Sequence, residues 1–439
     1  MINQEYSSLI LLMEVFSRRI VSNSLWMMLE KIISIFGLIF VTSYVAKYIG
    51  PTNFGKIALT TTLFTFVQTL TWFGNQEILF KRVSKNHQSG LNYLFNTQKI
   101  RFYLFLLMSL PILLGLYIFT DLLTLIFGIA TAFATYFITQ DIYAIYNNAV
   151  LHSYINAIVN MVGLSIALAV RYVVVIFEMD YVYLSIPIVL VTLIPYLLKQ
   201  YWFNRDQKAQ FSNQNKYRKY YFLAGGSLVI STLAVSFYTQ ITSLMLAKLT
   251  SLKDLGIYAV AVTLGTAWSF INFSIITSVL SKVYREKDDY QSYHIIAKLN
   301  LIIIVVSLFV IMFLAQFGQW IINILYGSAY QEAHYLIIVL GLSTLCSGLG
   351  TIAARFMIKE ESYSYISKKM LAVACSALPI SYFMISLYGL KGAAYSVLLI
   401  EFLSLTVFNY FYRNGLIFKI HFFPFFKHSL KFKLQEEQC

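Results

Sequence analysis

Residues 299–323 read LNLIIIVVSLFVIMFLAQFGQWIIN, 25 positions without one charged side chain. At 1.5 Å of rise per residue, a helix of that length reaches about 37 Å and crosses the ~30 Å hydrocarbon core of a bilayer. Working outward, similar apolar runs recur at 24–46, 57–80, 101–120, 122–147, 154–177, 182–203, 221–247, 256–281, 335–357, 368–388 and 391–412. Composition agrees: 59% of the chain is apolar, 12% is charged and the mean hydropathy is +0.69. Soluble domains carry about 25% charged residues, so this chain lacks the polar side chains to coat a water-facing surface. The expected fold is all-α and polytopic, with about twelve transmembrane helices.

The cysteines add no framework. Cys346 and Cys375 fall inside apolar runs and Cys439 is terminal, so no disulfide or metal-site spacing exists. No metal or other cofactor is expected. The first apolar run continues as a full span, which argues against a cleavable signal, and residues 1–16 read as an N-terminal extension with Met13 as a credible start.

A net charge of +14 invites a nucleic-acid reading, but its distribution excludes one. Basic residues gather in alternate loops: Arg18 and Arg19; Lys81 to Arg101; Lys199 to Lys219; Lys282 to Lys298; Lys359, Lys368 and Lys369; and Arg413 to Lys433. The opposite loops carry Asp121, Glu178, Asp180 and Glu332. Such a bias places the basic side and both termini in the cytoplasm. The basic loops and the tail can rest against anionic lipid headgroups.

The two halves of the chain resemble each other. VAKYIGPTNFGKIAL (45–59) aligns without gaps on LAKLTSLKDLGIYAV (246–260), matching Gly55 with Gly256. LIFGIATAFATYF (125–137) echoes ILYGSAYQEAHYL (324–336) in the same way. Equivalent placement in a six-plus-six layout predicts two six-helix bundles around a central cavity, an arrangement suited to transport. The expected domains are an N-terminal bundle at 17–203, a cytoplasmic linker at 204–219, a C-terminal bundle at 220–415 and a basic tail at 416–439.

Gly50 to Lys56 fits the first part of a P-loop, G-x-x-x-x-G-K, but Ile57 stands where magnesium needs Ser or Thr. No strand precedes it, so its glycines and Pro51 serve the chain turn. The six histidines have no paired acid or nucleophile, and no long outer loop carries a carboxylate pair. An enzyme, such as a membrane-embedded polysaccharide polymerase, is therefore disfavoured.

What remains are polar residues inside the apolar runs, which are costly and therefore informative. The first span presents Glu30, Lys31, Ser34 and Thr42; the second Gln68, Thr71 and Asn75; the fourth Tyr136, Gln140, Tyr143 and Asn147 beside Asp141. The fifth presents Asn156, Asn160 and Arg171, the seventh Tyr238 and Thr242, and the tenth Arg355 near its cytoplasmic end. Glu401 lies near the middle of the last span, too deep to reach water by snorkelling. For any single Ser or Thr the plain reading is helix–helix packing. Shared polar faces on so many spans favour a hydrated cavity.

Several motifs, taken in order, resemble the polysaccharide flippases, the O-antigen exporter branch of the multidrug/oligosaccharidyl-lipid/polysaccharide superfamily. They are SRRIVSNSLWMMLEKI at the first span, YVAKYIGPTNFGKIAL, GNQEILFKRVSK, LKDLGIYAVAVTL, LYGSAYQEA and GLKGAAYSVLLIEFL, together covering about 17–415. The resemblance implies two bundles around a cavity, a bacterial inner-membrane location, and translocation of an undecaprenyl-pyrophosphate-linked oligosaccharide for lipopolysaccharide O-antigen or capsule. It implies lipid-linked oligosaccharide, membrane lipids and other polysaccharide assembly proteins as partners, and no nucleic acid. On that reading Lys31, Arg171 and Arg355 face the diphosphate, Tyr136, Tyr143 and Tyr238 stack on sugars, and Asp141 or Glu401 couples an ion. The alternative within the superfamily is a multidrug or cation exporter, which would favour an acidic cavity. Relatives often place Asp where Thr242 stands and Pro where Ser281 stands, which puts any ion coupling through that Asp in doubt.

Overall fold

The computed structural model describes residues 18–206, 215–286 and 288–421. The expected extension 1–16, residues 207–214 of the linker and the tail beyond His421 lie outside the described residues. Those described are helical, with no strand among them. Among the described residues, eight helical stretches are long and apolar enough to cross a membrane, including Leu122–Ala149, Ser153–Ile176, Tyr181–Arg205 and Ala333–Lys359. Large apolar side chains such as Phe119, Phe309, Trp320 and Leu387 stand exposed on the outside of these helices. Water would oppose that surface and lipid would not. The chain is a multi-pass helical membrane protein.

The helices run α1 Arg18–Trp72, α2 Asn75–Lys85, α3 His87–Phe119, α4 Leu122–Gln140, α5 Ile142–Ala149, α6 Ser153–Ile176, α7 Ser185–Asp206 and α8 Asn215–Leu249. They continue as α9 Leu252–Thr266, α10 Ser269–Arg285, α11 Asp289–Leu325, α12 Ala333–Lys359, α13 Tyr363–Leu405, α14 Val407–Tyr410 and α15 Leu416–His421. Two are kinked pairs. Gly50, at φ 73°, breaks α1 just before Pro51, and Gly389, at φ 56°, breaks α13. Glycine tolerates that positive φ, and proline is pre-set to open the helix that follows.

Several expected runs are broken: 256–281 at residues 267–268, 391–412 at Thr406, and two more beside polar residues singled out above. The run 57–80 is not one helix, because Phe73 and Gly74 both take positive φ. Asn75 therefore opens the separate, amphipathic α2. The run 122–147 is likewise interrupted at Asp141, whose Oδ1 accepts from the Ala144 N–H at 3.1 Å and starts α5. A side-chain cap of this kind satisfies one of the helix's orphan donors.

The chain divides into two compact units. Unit 1 holds Thr60–Leu233 and the residues up to Tyr48; unit 2 holds Ile49–Leu59 and everything from Ala234. The division falls inside α8 rather than in the polar stretch 204–219. In unit 1, α7 packs along α6 and α4, and an aromatic-rich core gathers Trp72, Tyr93, Tyr143, Tyr146, Tyr196, Phe203 and Tyr221. In unit 2, α12 packs against α9, α11 and α13.

Candidate functional site

Each unit holds a cavity lined by polar side chains set among apolar ones. That of unit 1 measures about 380 Å³ and is lined by Ser34, Trp72, Gln76, Asp141, Asn160, Thr192 and Lys199, with apolar side chains between them. Its electrostatic centre is an ion pair: Lys199 Nζ on α7 lies 2.8 Å from Asp141 Oδ2, at the α4–α5 break. The Lys199 side chain is 3% exposed and that of Asp141 16%. Since Oδ1 of the same carboxylate caps α5, Asp141 ties the helix break to the cation.

Behind the Trp72 wall stands a second cation. Arg101 on α3 is 1% exposed, its guanidinium carbon is 5.4 Å from the Trp72 ring centre, and its Nη1 donates to Thr97 Oγ1 at 2.9 Å. Its Nε and Nη2 make no hydrogen bond. The indole Nε1 of Trp72, the Thr71 hydroxyl and both amide atoms of Gln140 are also buried without partners.

The unit 2 cavity measures about 240 Å³ and is lined by Thr266, Ser269, Asn272, Ser343, Thr344, Ser347, Thr351 and Glu401. Lys369, on the first arm of α13, is buried, and its charge acts on the Glu401 carboxylate from the second arm. Glu401 thus combines a titratable carboxylate, a nearby ammonium and a hydroxyl-rich wall.

The structure disperses the other residues singled out from the sequence. The side chains of Glu30 and Lys31 lie outside the described residues, although both positions are helical in α1. Asn160 lines the unit 1 cavity with Asp141. Asn75 does not: it is buried, donates to the carbonyls of Phe73 at 2.9 Å and Tyr221 at 3.3 Å, and accepts from the Tyr93 hydroxyl. Asn147 is occupied similarly, donating to Asn156 Oδ1 at 2.9 Å and so tying α5 to α6. Gln140 is buried and Gln68 half-buried. Tyr136 packs among the rings of Phe102, Phe105 and Phe137. Arg171 donates to Thr42 Oγ1 at 3.3 Å within unit 1. In unit 2, Tyr238 packs on the cluster of Ile241, Val373, Ala377 and Ile400, while Arg355 is exposed.

Three residues read from the sequence as belonging to cytoplasmic loops are corrected by the fold. Arg101, Lys199 and Lys369 all lie inside helices and are buried. One signal was present: each falls within, or at the first two positions of, an apolar run. Asn272 and Gln76, which also line cavities, carried no signal that distinguished them from packing residues.

The model of a family described as "Polysaccharide biosynthesis protein" matches residues 20–281. A capsular polysaccharide biosynthesis protein, CapF of Staphylococcus aureus, is 24% identical over 222 residues, which is 50% of this chain and 55% of that protein. The match thus spans about half of that relative's length. Among solved structures, the lipid II flippase MurJ in an inward closed conformation superposes with a TM-score of 0.68 at 13% identity, covering 91% of this chain and 90% of that one. An inward-facing multidrug resistance MATE family transporter of the MOP superfamily gives 0.62 at 12% identity, covering 88% and 95%. At such identities these likenesses speak for the fold alone.

Proposed function

Because the chain belongs to the polysaccharide biosynthesis protein family, we propose that it is a flippase carrying a lipid-linked oligosaccharide across a bacterial inner membrane. The observation that carries this reading is the Lys199–Asp141 pair set at a cavity among apolar membrane helices. A buried ion pair is an expensive structural element, because desolvation consumes most of its Coulomb gain. Its place at a cavity favours a functional role. A fold shared with a lipid II flippase agrees with that role.

The substrate is an undecaprenyl-pyrophosphate-linked repeat unit for O-antigen or capsule, moved by alternating access of two six-helix bundles, with both termini cytoplasmic. Its sugars need a wet path and its diphosphate a cationic one, while the lipid tail stays in the bilayer. The chain acts as a carrier, not as an enzyme, alongside other polysaccharide assembly proteins. Lys31, Arg171 and Arg355 remain proposals for diphosphate contacts, and Asp141 and Glu401 for ion coupling.

Glu401 and its hydroxyl-lined cavity support a second reading, a cation exporter, since an acid in a pocket suits a cationic ligand. Complementation separates the two. A strain lacking its own flippase should regain surface polysaccharide when this chain is supplied with its matching glycan-assembly enzymes. Restored resistance to cationic dyes without surface polysaccharide would favour the exporter.

A further inference from the structure

Every buried, unpartnered side-chain polar atom found among the described residues of unit 1 belongs to Thr71, Trp72, Arg101 or Gln140. Trp72 is a wall of the 380 Å³ cavity, Thr71 precedes it, and Gln140 precedes the cavity's Asp141. Buried polar groups are normally satisfied, so such a concentration needs an explanation. Charge gives the same indication. Among the described residues no carboxylate pairs with Arg101, so Arg101, Lys199 and Asp141 together leave one positive charge in excess around the cavity. The Trp72 face attracts the guanidinium but does not neutralise it.

We propose that the unit 1 cavity is a binding subsite for a phosphate-bearing headgroup, in which Lys199 exchanges Asp141 for a phosphate oxygen. The inference rests on the reading of the chain as a carrier of lipid-linked sugars. Asp141 holds the Lys199 ammonium at 2.8 Å, in the place that a phosphate oxygen would take. Arg101 has no exposed polar atom, so it acts through its field from behind Trp72, where low dielectric strengthens its attraction for an anion. Ser34, Gln76, Asn160 and Thr192 supply neutral hydrogen-bonding groups beside the lysine, suited to sugar hydroxyls. A volume of 380 Å³ lies at the small end of ligand pockets, room for a headgroup and not for a whole lipid-linked repeat unit.

The ion pair makes the proposal separable from a structural one. If the pair only braces α7 against the α4–α5 break, removing either charge leaves the other orphaned and both changes harm alike. If Asp141 competes with the ligand, Asp141→Asn frees Lys199 and strengthens binding, while Asn still accepts from the Ala144 N–H. Purified full-length protein in phosphatidylcholine nanodiscs would be titrated with undecaprenyl diphosphate, inorganic pyrophosphate and added phosphatidylglycerol. The expected result is about a tenfold loss of undecaprenyl diphosphate affinity in Lys199→Met, partial recovery in Lys199→Arg, and a several-fold gain in Asp141→Asn. Should Lys199→Met not fold, the double variant Asp141→Asn/Lys199→Met, with no orphaned charge, is expected to show the same loss. Pyrophosphate binding with equal tightness assigns the affinity to a free anion's chemistry, and displacement by phosphatidylglycerol assigns it to bulk lipid headgroups. Either result supports the subsite if it depends on Lys199.

Lys199 variants that bind like wild type, or Asp141→Asn weakening as Lys199→Met does, would overturn the subsite. Wild type that binds none of the three probes would also overturn it, yet transport of the lipid-linked sugar by that protein would leave the flippase reading standing.

Discussion

Gly55 and Gly256 meet backbone to backbone in unit 2: a methyl group on Gly55 would lie 1.8 Å from the Leu252 carbonyl oxygen, and one on Gly256 1.9 Å from that of Pro51. The contact is reciprocal. The offset that aligns Gly55 with Gly256 in the sequence also aligns Pro51 with Leu252, so the two copies of the repeat touch through equivalent atoms. Each glycine sits just past the first turn of a helix, one opened by Pro51 and the other by Ser251, whose Oγ accepts from the Asp254 N–H at 3.1 Å.

Gly55→Ala and Gly256→Ala should each destabilise the protein by about 1–3 kcal/mol or more, because backbone atoms cannot yield as side-chain ends do. Gly115→Ala in α3 is the control: nothing lies within 4 Å of its added methyl, and alanine favours a helix. Thermal unfolding of the three variants in detergent checks the ranking.

That glycine pair shows how much was legible beforehand. Apolar runs announce membrane helices because bilayer thickness fixes their length, and the repeat shows where equivalent turns fall. Asp141 and Glu401 stood out as carboxylates inside apolar runs, and both line cavities. Their partners did not stand out. Lys199 and Lys369 lie near span ends, where a lysine ordinarily snorkels to the headgroups, and only tertiary packing decides that these two turn inward. Asn75 and Asn147 make structural contacts that hydropathy does not register: Asn75 bonds backbone carbonyls beside the break at Phe73 and Gly74, and Asn147 bonds Asn156 on the next helix.

In unit 2, Lys369→Met should reduce folded yield more than the pair Lys369→Met/Glu401→Gln, because the single change leaves the half-buried Glu401 carboxylate without the cation that acts on it. Removing one of two interacting charges costs more than removing both, and with Glu401 only half-buried the difference is smaller than for a fully buried pair. A double-mutant cycle on unfolding measures the coupling. Strictly additive effects would show that the two charges do not act on each other.

The short α15 should loosen in acid. Burial pushes the His421 imidazole down to about 4, and its Nδ1 lies 3.2 Å from the Tyr410 hydroxyl. The folded state thus disfavours the charged form, whose pKa is about 6.5 in an unfolded chain. The stabilisation is complete above pH 6.5 and is lost as pH falls through about 4. Hydrogen exchange at residues 416–421 should quicken over that window, and His421→Phe should remove the pH dependence.

Between α5 and α6, Asn156 donates to the Ala144 carbonyl at 2.8 Å and to Asn148 Oδ1 at 2.9 Å while accepting from Asn147. Asn156→Leu should therefore cost about 1–3 kcal/mol by orphaning buried partners. Loss of that size, seen in unfolding with substrate affinity unchanged in the surviving folded protein, would assign the amide to scaffolding.

The central claim is tested most directly in proteoliposomes holding the purified chain and a fluorescent undecaprenyl-diphosphate oligosaccharide. A membrane-impermeant quencher added outside reads the outer leaflet. The account predicts that labelled lipid initially protected in the inner leaflet becomes quenchable when the protein is present, and stays protected in protein-free liposomes. Lipid that remains protected, from vesicles in which the same protein moves a cationic dye, would contradict the flippase reading and leave the exporter in its place.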